Sequence, residues 1–156
     1  MRIIGIDPGL TKTGIGIIEA KNNSLSFISA HTIYSSPSDP IAHRLNHFHT
    51  SLIDIIKLHK PDLVAIEETF VNKNPLSSLK LGHVRGALIL TSAICNLKVF
   101  EYSSTAVKKA IVGVGRAEKE QIQMMVKILL PKAEFKTEDE ADALAIAICH
   151  NSYNRN

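Results

Sequence analysis

The sequence predicts an α/β protein built on a mixed five-stranded sheet, with three antiparallel strands followed by two parallel ones and helices on both faces. Three observations predict this. Short β-branched runs near the N-terminus follow one another with only turn-length gaps. Two further short apolar runs then alternate with long segments of helical apolar spacing, as crossover connections do. Only helices follow the fifth run, so the order reads βββαβαβααα.

Arg2 to Asp7 is the first strand, a run of Ile and Gly closed by a carboxylate. Gly14 to Glu19 is the second, and Asn22-Asn23 supplies the turn after it. Leu25 to Tyr34 is the third, with Leu25, Phe27 and Ile33 predicted to face inward. Ser38-Asp39-Pro40 predicts a helix start with a first-turn proline. Leu45, Phe48, Leu52, Ile55 and Ile56 then recur on one helical face, and Pro61 ends it. Asp62 to Glu67 is the fourth strand, buried and parallel in a crossover. A second long helix is predicted from Pro75 to Asn96, and Lys98 to Tyr102 is the fifth strand. A short helix over Thr105 to Ile111 breaks at Gly113-Val114-Gly115. Glu118 to Leu130 carries Ile122, Met125, Val126 and Leu129 on one face, and Pro131 stops it. The last helix is predicted over Glu138 to Cys149. Residues 1–152 are expected to form a single domain and 153–156 a short tail.

The composition bounds the function. A chain of 156 residues with 45% hydrophobic and 21% charged residues buries a sizeable core, which excludes disordered, collagenous and low-complexity classes. The two cysteines, Cys95 and Cys149, sit in apolar stretches and read as buried free thiols, and no zinc-type Cys/His spacing exists. His43 and His47 have zinc-like spacing, but Arg44 stands where a metalloprotease glutamate would be, so they read as solvated. The apolar stretch from Ala87 to Cys95 is too short for a bilayer, and Met1-Arg2 leads straight into a strand. A cytoplasmic location is therefore expected. The formal charge of +3 is unevenly spread, at −1 over residues 1–72, +7 over 73–132 and −3 over 133–156. A basic middle flanked by acidic ends suits a polyanion facing a carboxylate cluster.

The carboxylates carry the chemistry. Asp7 and Glu67 each end a hydrophobic strand and emerge side by side if those strands are neighbours. Two such groups raise each other's pKa unless a cation separates them, and oxygen-only donors favour magnesium or manganese. Asp139 and Asp142 are three apart and share one side of the last helix. Thr137 and Glu140 form a capping box, which accounts for Glu138 and Glu140 and covers Asp139 as well. It accounts poorly for Asp142, which lies among Ala141, Ala143 and Leu144 and needs a partner there. Glu68 reads as a supporting residue facing the other way from Glu67.

The basic segment offers two readings at each position. Phe70, on a loop just past Glu67, either stacks on an unpaired base or packs in the core. Lys73, Lys80 and Arg85 follow it, and Lys108, Lys109, Arg116 and Lys119 flank the glycine break. They are either phosphate contacts or solvated charges. Gly82 and Gly86 form a small-residue stripe open to intrachain packing or to a homodimer seam.

Taken together, these residues resemble the RuvC-type Holliday junction resolvases of the ribonuclease-H-like superfamily. The resemblance rests on Ile6-Asp7-Pro8-Gly9 with Thr13-Gly14, Ala65-Ile66-Glu67 with Phe70, and Leu79-Lys80-Leu81-Gly82 with Arg85-Gly86. It continues through Val99-Phe100-Glu101-Tyr102, Val107-Lys108 with Val112-Gly113, Ala117-Glu118-Lys119, and Asp139 with Ala141-Asp142-Ala143-Leu144-Ala145. It implies a homodimeric, metal-dependent endonuclease that makes paired symmetric nicks in a four-way DNA junction and leaves 5′ phosphates. It implies that Asp7, Glu67, Asp139 and Asp142 are the catalytic, metal-holding acids, served by two Mg2+ with Mn2+ as a substitute. Lys108 and Lys119 then lie at the scissile phosphate, and Phe70, Lys73, Lys80, Arg85, Lys109 and Arg116 at the DNA. Gly82 and Gly86 fall on the dimer seam, and a branch-migration helicase complex, RuvA and RuvB, is the implied partner. The resemblance departs at the end, where longer relatives carry a basic tail and only Arg155 follows the last helix. Two rival readings remain. One is an actin- or sugar-kinase-like ATPase half, which also uses Asp7, Gly9 and Gly14 at a first β-turn. The other is a junction-binding module without catalysis.

Overall fold

The computed structural model describes residues 1–22, 24–69 and 74–154. The expectations for Phe70 and Lys73, for Asn23 of the first turn, and for the last two residues of the tail lie outside these. The strands are β1 (Arg2–Asp7), β2 (Lys12–Lys21), β3 (Ser24–Tyr34), β4 (Leu63–Glu67) and β5 (Lys98–Tyr102). The helices are α1 (Ile41–His59), α2 (Pro75–Ile94), α3 (Ser104–Val112), α4 (Lys119–Leu129) and α5 (Glu138–Tyr153). The sheet order is β3-β2-β1-β4-β5. β1, β2 and β3 pair antiparallel, whereas β1–β4 and β4–β5 are parallel. This is the mixed sheet the sequence predicts.

β1 is central because its four inner residues, Ile3-Ile4-Gly5-Ile6, are apolar and buried. Ile3, Ile4 and Ile6 are fully buried, and alternate side chains feed two separate cores. Ile3 joins Ile18, Val107, Ile122, Val126 and Leu144 beneath α3, α4 and α5. Ile4 and Ile6 join Phe48, Leu52, Val84 and Leu88 beneath α1 and α2. Each such side chain contributes roughly 1.5–3 kcal/mol on burial. No helix among the described residues is long and apolar enough to cross a membrane.

Three local features differ from expectation, each for a physical reason. β3 carries an irregularity, because Ile17 pairs with Ser29 while Ile18 pairs with Phe27. The extra residue, Ile28, exchanges the faces of the strand. Leu25 and Phe27 therefore pack on the α5 side, and Ile33 packs on the α1–α2 side. α1 opens at Ile41 with Pro40 as its cap and no capping side chain. It ends where Lys60 adopts φ 48°, one residue before Pro61. α5 runs to Tyr153 instead of stopping at Cys149. His150 is buried there, bonded to the Tyr102 hydroxyl at 2.8 Å and packed on Phe100, and Tyr153 stacks on Tyr102. Both cysteines are free; Cys149 is buried as expected, but Cys95 is partly exposed. Burial pushes the Cys149 thiol up to about 12.

α5 differs from the other helices in being buried on nearly every side, from Ala143 through Asn151. It lies on β1 and β2 and is covered in turn by α3 and α4. The sheet residues beneath it are glycines. A Cβ on Gly5 would stand 2.0 Å from the Ala143 carbonyl oxygen, and one on Gly14 the same distance from that of Asp139. Gly16 faces the Leu144 nitrogen, 2.5 Å from where its Cβ would be. Helix backbone thus meets sheet backbone directly. Gly5→Ala should force α5 off the sheet and destabilise the fold by about 1–3 kcal/mol, as overpacked cores do. Urea unfolding measures this, and an unchanged midpoint would show that the contact is looser than described.

Candidate active site

Parallel pairing of β1 with β4 sets Ile6 opposite Ile66. The next residue on each strand is a carboxylate, so Asp7 and Glu67 leave the sheet side by side. Asp7 is also paired across β2 to Gly14, and Gly14 is the residue on which Asp139 rests. One turn further along α5, Asp142 reaches the same place. Asp7, Glu67 and Asp142 line one cleft of about 190 Å³, together with Ser104, Val107, Lys108, Ala117, Lys119 and Ile122. An adjoining depression is lined by Asp7, Pro8, Glu67, Glu68, Thr69, Leu81 and Ser104. Glu68, expected to face away, therefore borders the site.

The electrostatics are those of acids forced together. Burial, then the charges of Glu67, Asp142 and Asp139, push Asp7 from 3.8 up to about 8. Glu67 is raised by burial and by Asp142, partly offset by a hydrogen bond from Ser104 and the charge of Lys108. Asp142 is raised by burial and by Asp139 and Glu138, against the opposing pull of Lys119 and Lys108. Two ammonium groups thus moderate the repulsion without cancelling it. An oxygen-only donor set of this kind fits a hard divalent cation, which would stabilise all the ionised forms at once. Among the described residues, no three His, Cys, Asp or Glu side chains already stand in a finished metal-ligating arrangement.

The first turn of α5 is held from outside the cleft. Thr137 caps it by accepting from the Glu140 amide at 3.2 Å. The Glu140 carboxylate does not close the expected capping box. It accepts from the Lys136 amide at 2.6 Å and from the Thr32 hydroxyl at 2.9 Å, tying the turn to β3. Glu138 has a partner of its own, Lys119 Nζ at 2.8 Å. This contact raises the pKa of Lys119, lowers that of Glu138, and joins the start of α4 to the start of α5.

The structure distributes the other expected site residues unevenly. Lys108 and Lys119 stand on the cleft. Lys80, Lys109 and Arg116 are exposed. Arg85, also expected at the DNA, is half-buried. Its guanidinium faces the protein, donating through Nε to the Glu67 carbonyl at 3.1 Å and pairing with the Glu101 carboxylate. Among the described residues, nothing stands within 4 Å of where a Cβ on Gly82 or Gly86 would be, so no packing among those residues explains them. His43 and His47 are exposed as expected, and Arg44 between them is buried, bonded to Ser35 Oγ at 3.0 Å and to the Leu10 carbonyl. Sequence reasoning missed Ser104. Ser104 carried a readable signal, because it follows the N-cap Ser103 at the start of a helix beside the β5 end.

Comparison with known proteins agrees with this geometry over the whole chain. The family model for crossover junction endodeoxyribonuclease RuvC matches residues 3–150. A protein of that name from Rhizobium etli is 56% identical over 155 residues, covering 99% of this chain and 91% of the relative. Its counterpart from Agrobacterium fabrum is 54% identical with the same coverage. Among solved structures, T. thermophilus RuvC in complex with a Holliday junction substrate superposes with a TM-score of 0.92 at 31% identity, covering 99% of this chain and 95% of that one. This sheet order is thus that of a ribonuclease-H-like resolvase fold, and the chain is a member of the RuvC family of crossover junction endodeoxyribonucleases.

Proposed function

We propose that this protein is a homodimeric, divalent-metal-dependent endonuclease that resolves four-way DNA junctions in recombination and repair by paired nicks leaving 5′ phosphates. The observation that carries the reading is the meeting of Asp7, Glu67 and Asp142 in one cleft edged by Lys108 and Lys119. The named activity of the relatives and the junction bound by the T. thermophilus protein support it.

Asp7, Glu67, Asp139 and Asp142 would hold the cations, Mg2+ or Mn2+, two per site. When bound, these supply Lewis acidity and charge neutralisation for in-line displacement at phosphorus. The four acids fix where positive charge sits relative to the scissile bond. Lys108 and Lys119 donate to the phosphate oxygens, where negative charge grows in the transition state. Lys119 meets the phosphate from the cleft edge, where Glu138 already keeps its ammonium. Val107 and Ile122 give that edge apolar walls, which strengthen the nearby charge interactions. Exposed Lys80, Lys109 and Arg116 supply phosphate contacts away from the reacting bond, together with Phe70 and Lys73, which follow β4 in the sequence. The RuvA–RuvB helicase complex is the proposed cellular partner, and the cytoplasm the location.

The dimer reading rests on α2. Leu76, Leu79, Leu90 and Ile94 on this helix are 59–62% exposed, and Gly82 and Gly86 lie open between them. An apolar stripe with a gap for a second backbone suits an isologous contact, and a two-fold dimer matches two symmetric strands.

Two experiments test this function. A synthetic four-way junction should be nicked in Mg2+ and left intact in EDTA. Asp7→Asn should cut at least about 100-fold more slowly, at or beyond the upper end for lost metal-site partners, while junction binding persists on the basic surface. Comparable cutting by the variant would remove Asp7 from the chemistry, and with it this assignment. Gly86→Leu should shift the protein toward monomer in sedimentation while circular dichroism stays native, and nicks in a supercoiled cruciform should become uncoupled. A folded, dimeric Gly86→Leu protein making coupled nicks would place the seam elsewhere.

A further inference from the structure

Glu67 occupies a weak point in the sheet. The pairing of β1 with β4 ends at Ile6 and Ile66, one residue before it. On that side its backbone is beyond the ladder, and only β5 still pairs with it, at Tyr102. Its carboxylate is pressed by burial and by Asp142. A strand end in this position needs a further restraint if its side chain is to keep one direction under repulsion.

α2 supplies that restraint. Arg85 Nε donates to the carbonyl oxygen of Glu67 itself at 3.1 Å. The same guanidinium pairs with Glu101 on β5, the residue in register with Ile66. The Arg85 side chain is only 19% exposed, so little of it remains for a phosphate in solvent. Its planar fork spans two acceptors on two adjacent strands, which a single ammonium cannot do in the same way. Arg85 also lies between Val84, buried against the sheet, and Gly86, open on the outer side. The residue therefore connects the proposed dimer helix to the backbone of a proposed metal-holding acid.

We propose that Arg85, clamped by Glu101, is a positioning residue for Glu67 and not a DNA contact. It sets the direction of the Glu67 carboxylate from α2, and so links the dimer face to the nuclease centre. This rests on the metal-dependent nuclease reading above. Loss of the clamp leaves the basic surface intact while misplacing one acid of the centre.

The experiment uses full-length Arg85→Ala, Arg85→Lys and Glu101→Gln on a synthetic four-way junction, with wild type in parallel. The wild-type reaction separates the two readings, because failure of wild type to cut in Mg2+ overturns the function, whereas the clamp is judged on the variants. Single-turnover cutting at saturating protein should fall about 10–100-fold in Arg85→Ala, the usual cost of losing a group that orients a metal ligand. Junction affinity in EDTA should stay within about twofold, and its dependence on salt should keep the same slope. Mn2+ binding followed by electron paramagnetic resonance should weaken in step with the rate. Arg85→Lys should recover part of the rate, and Glu101→Gln should lower it in wild type but add little to Arg85→Ala. If Arg85→Ala does not fold, Arg85→Lys and Glu101→Gln carry the same comparison. A shallower salt slope with weakened affinity and an unchanged saturated rate would make Arg85 a phosphate contact. Unchanged rate, affinity and Mn2+ binding would overturn the clamp as well.

Discussion

Direct contact between the backbone of α5 and the backbone of the sheet is the constraint on which the rest of this structure depends. A carboxylate on a helix reaches carboxylates at a strand end only if no side chain stands between the two layers. Gly5, Gly14 and Gly16 remove the side chains on the sheet side, and Ala143 and Ala147 keep them small on the helix side. A helix resting on ordinary residues would stand further off, since packed layers take their spacing from the side chains between them. Asp142 would then point over the site without entering it. The same seat leaves α5 buried almost throughout, which is why α3 and α4 must cover it.

The geometry has an electrostatic consequence that works against the fold. Asp7, Glu67 and Asp142 all titrate above their ordinary range, because burial and mutual charge disfavour ionisation. For Asp7 the folded value is above the unfolded one, so the folded state holds this proton longer. The group therefore favours folding most below about pH 3.8 and progressively less as pH rises toward about 8. A bound cation reverses that sign by favouring the ionised form. The contacts at the rim of the site make sense as restraints under this load. Glu140 holds the first turn of α5 to β3, Ser104 donates to Glu67, and Arg85 holds the Glu67 backbone from α2.

Much of this was legible in the sequence, where a local signal had only one structural meaning. The limits of β1 follow from an Ile-rich run closed by Arg2 and Asp7, and those of β5 from a short Val-Phe-Glu-Tyr segment between two helical stretches. Asp7 and Glu67 were readable as neighbours because each closes a hydrophobic run and a crossover makes those runs parallel. The alanines around Asp142 announced a closely seated helix, although not that glycines on β1 and β2 formed the seat. The bulge at Ile28 was not read from the sequence, although the adjacent apolar pair Phe27-Ile28 breaks the alternation where the phase slips. The contacts of Arg85 were not legible for a different reason. An arginine in a basic segment reads as a surface charge, and its two acceptors, a backbone carbonyl and Glu101, come near it only after α2 and β5 have packed. Glu138 looked like an ordinary helix-start acid, and its pairing with Lys119 depends on how α4 meets α5.

The central claim is that a glycine-seated helix forces buried acids together at a strand end, and that divalent cations relieve the resulting repulsion. Site-resolved NMR titration of the Asp7 carboxyl, with and without millimolar Mg2+, tests it most directly. Without the cation, Asp7 should be half-protonated near pH 8. With Mg2+ its midpoint should fall by several units, as the ionised form gains a partner. A midpoint near 3.8 that Mg2+ leaves unmoved would contradict the account, because the acids would then be neither crowded nor a place for the metal.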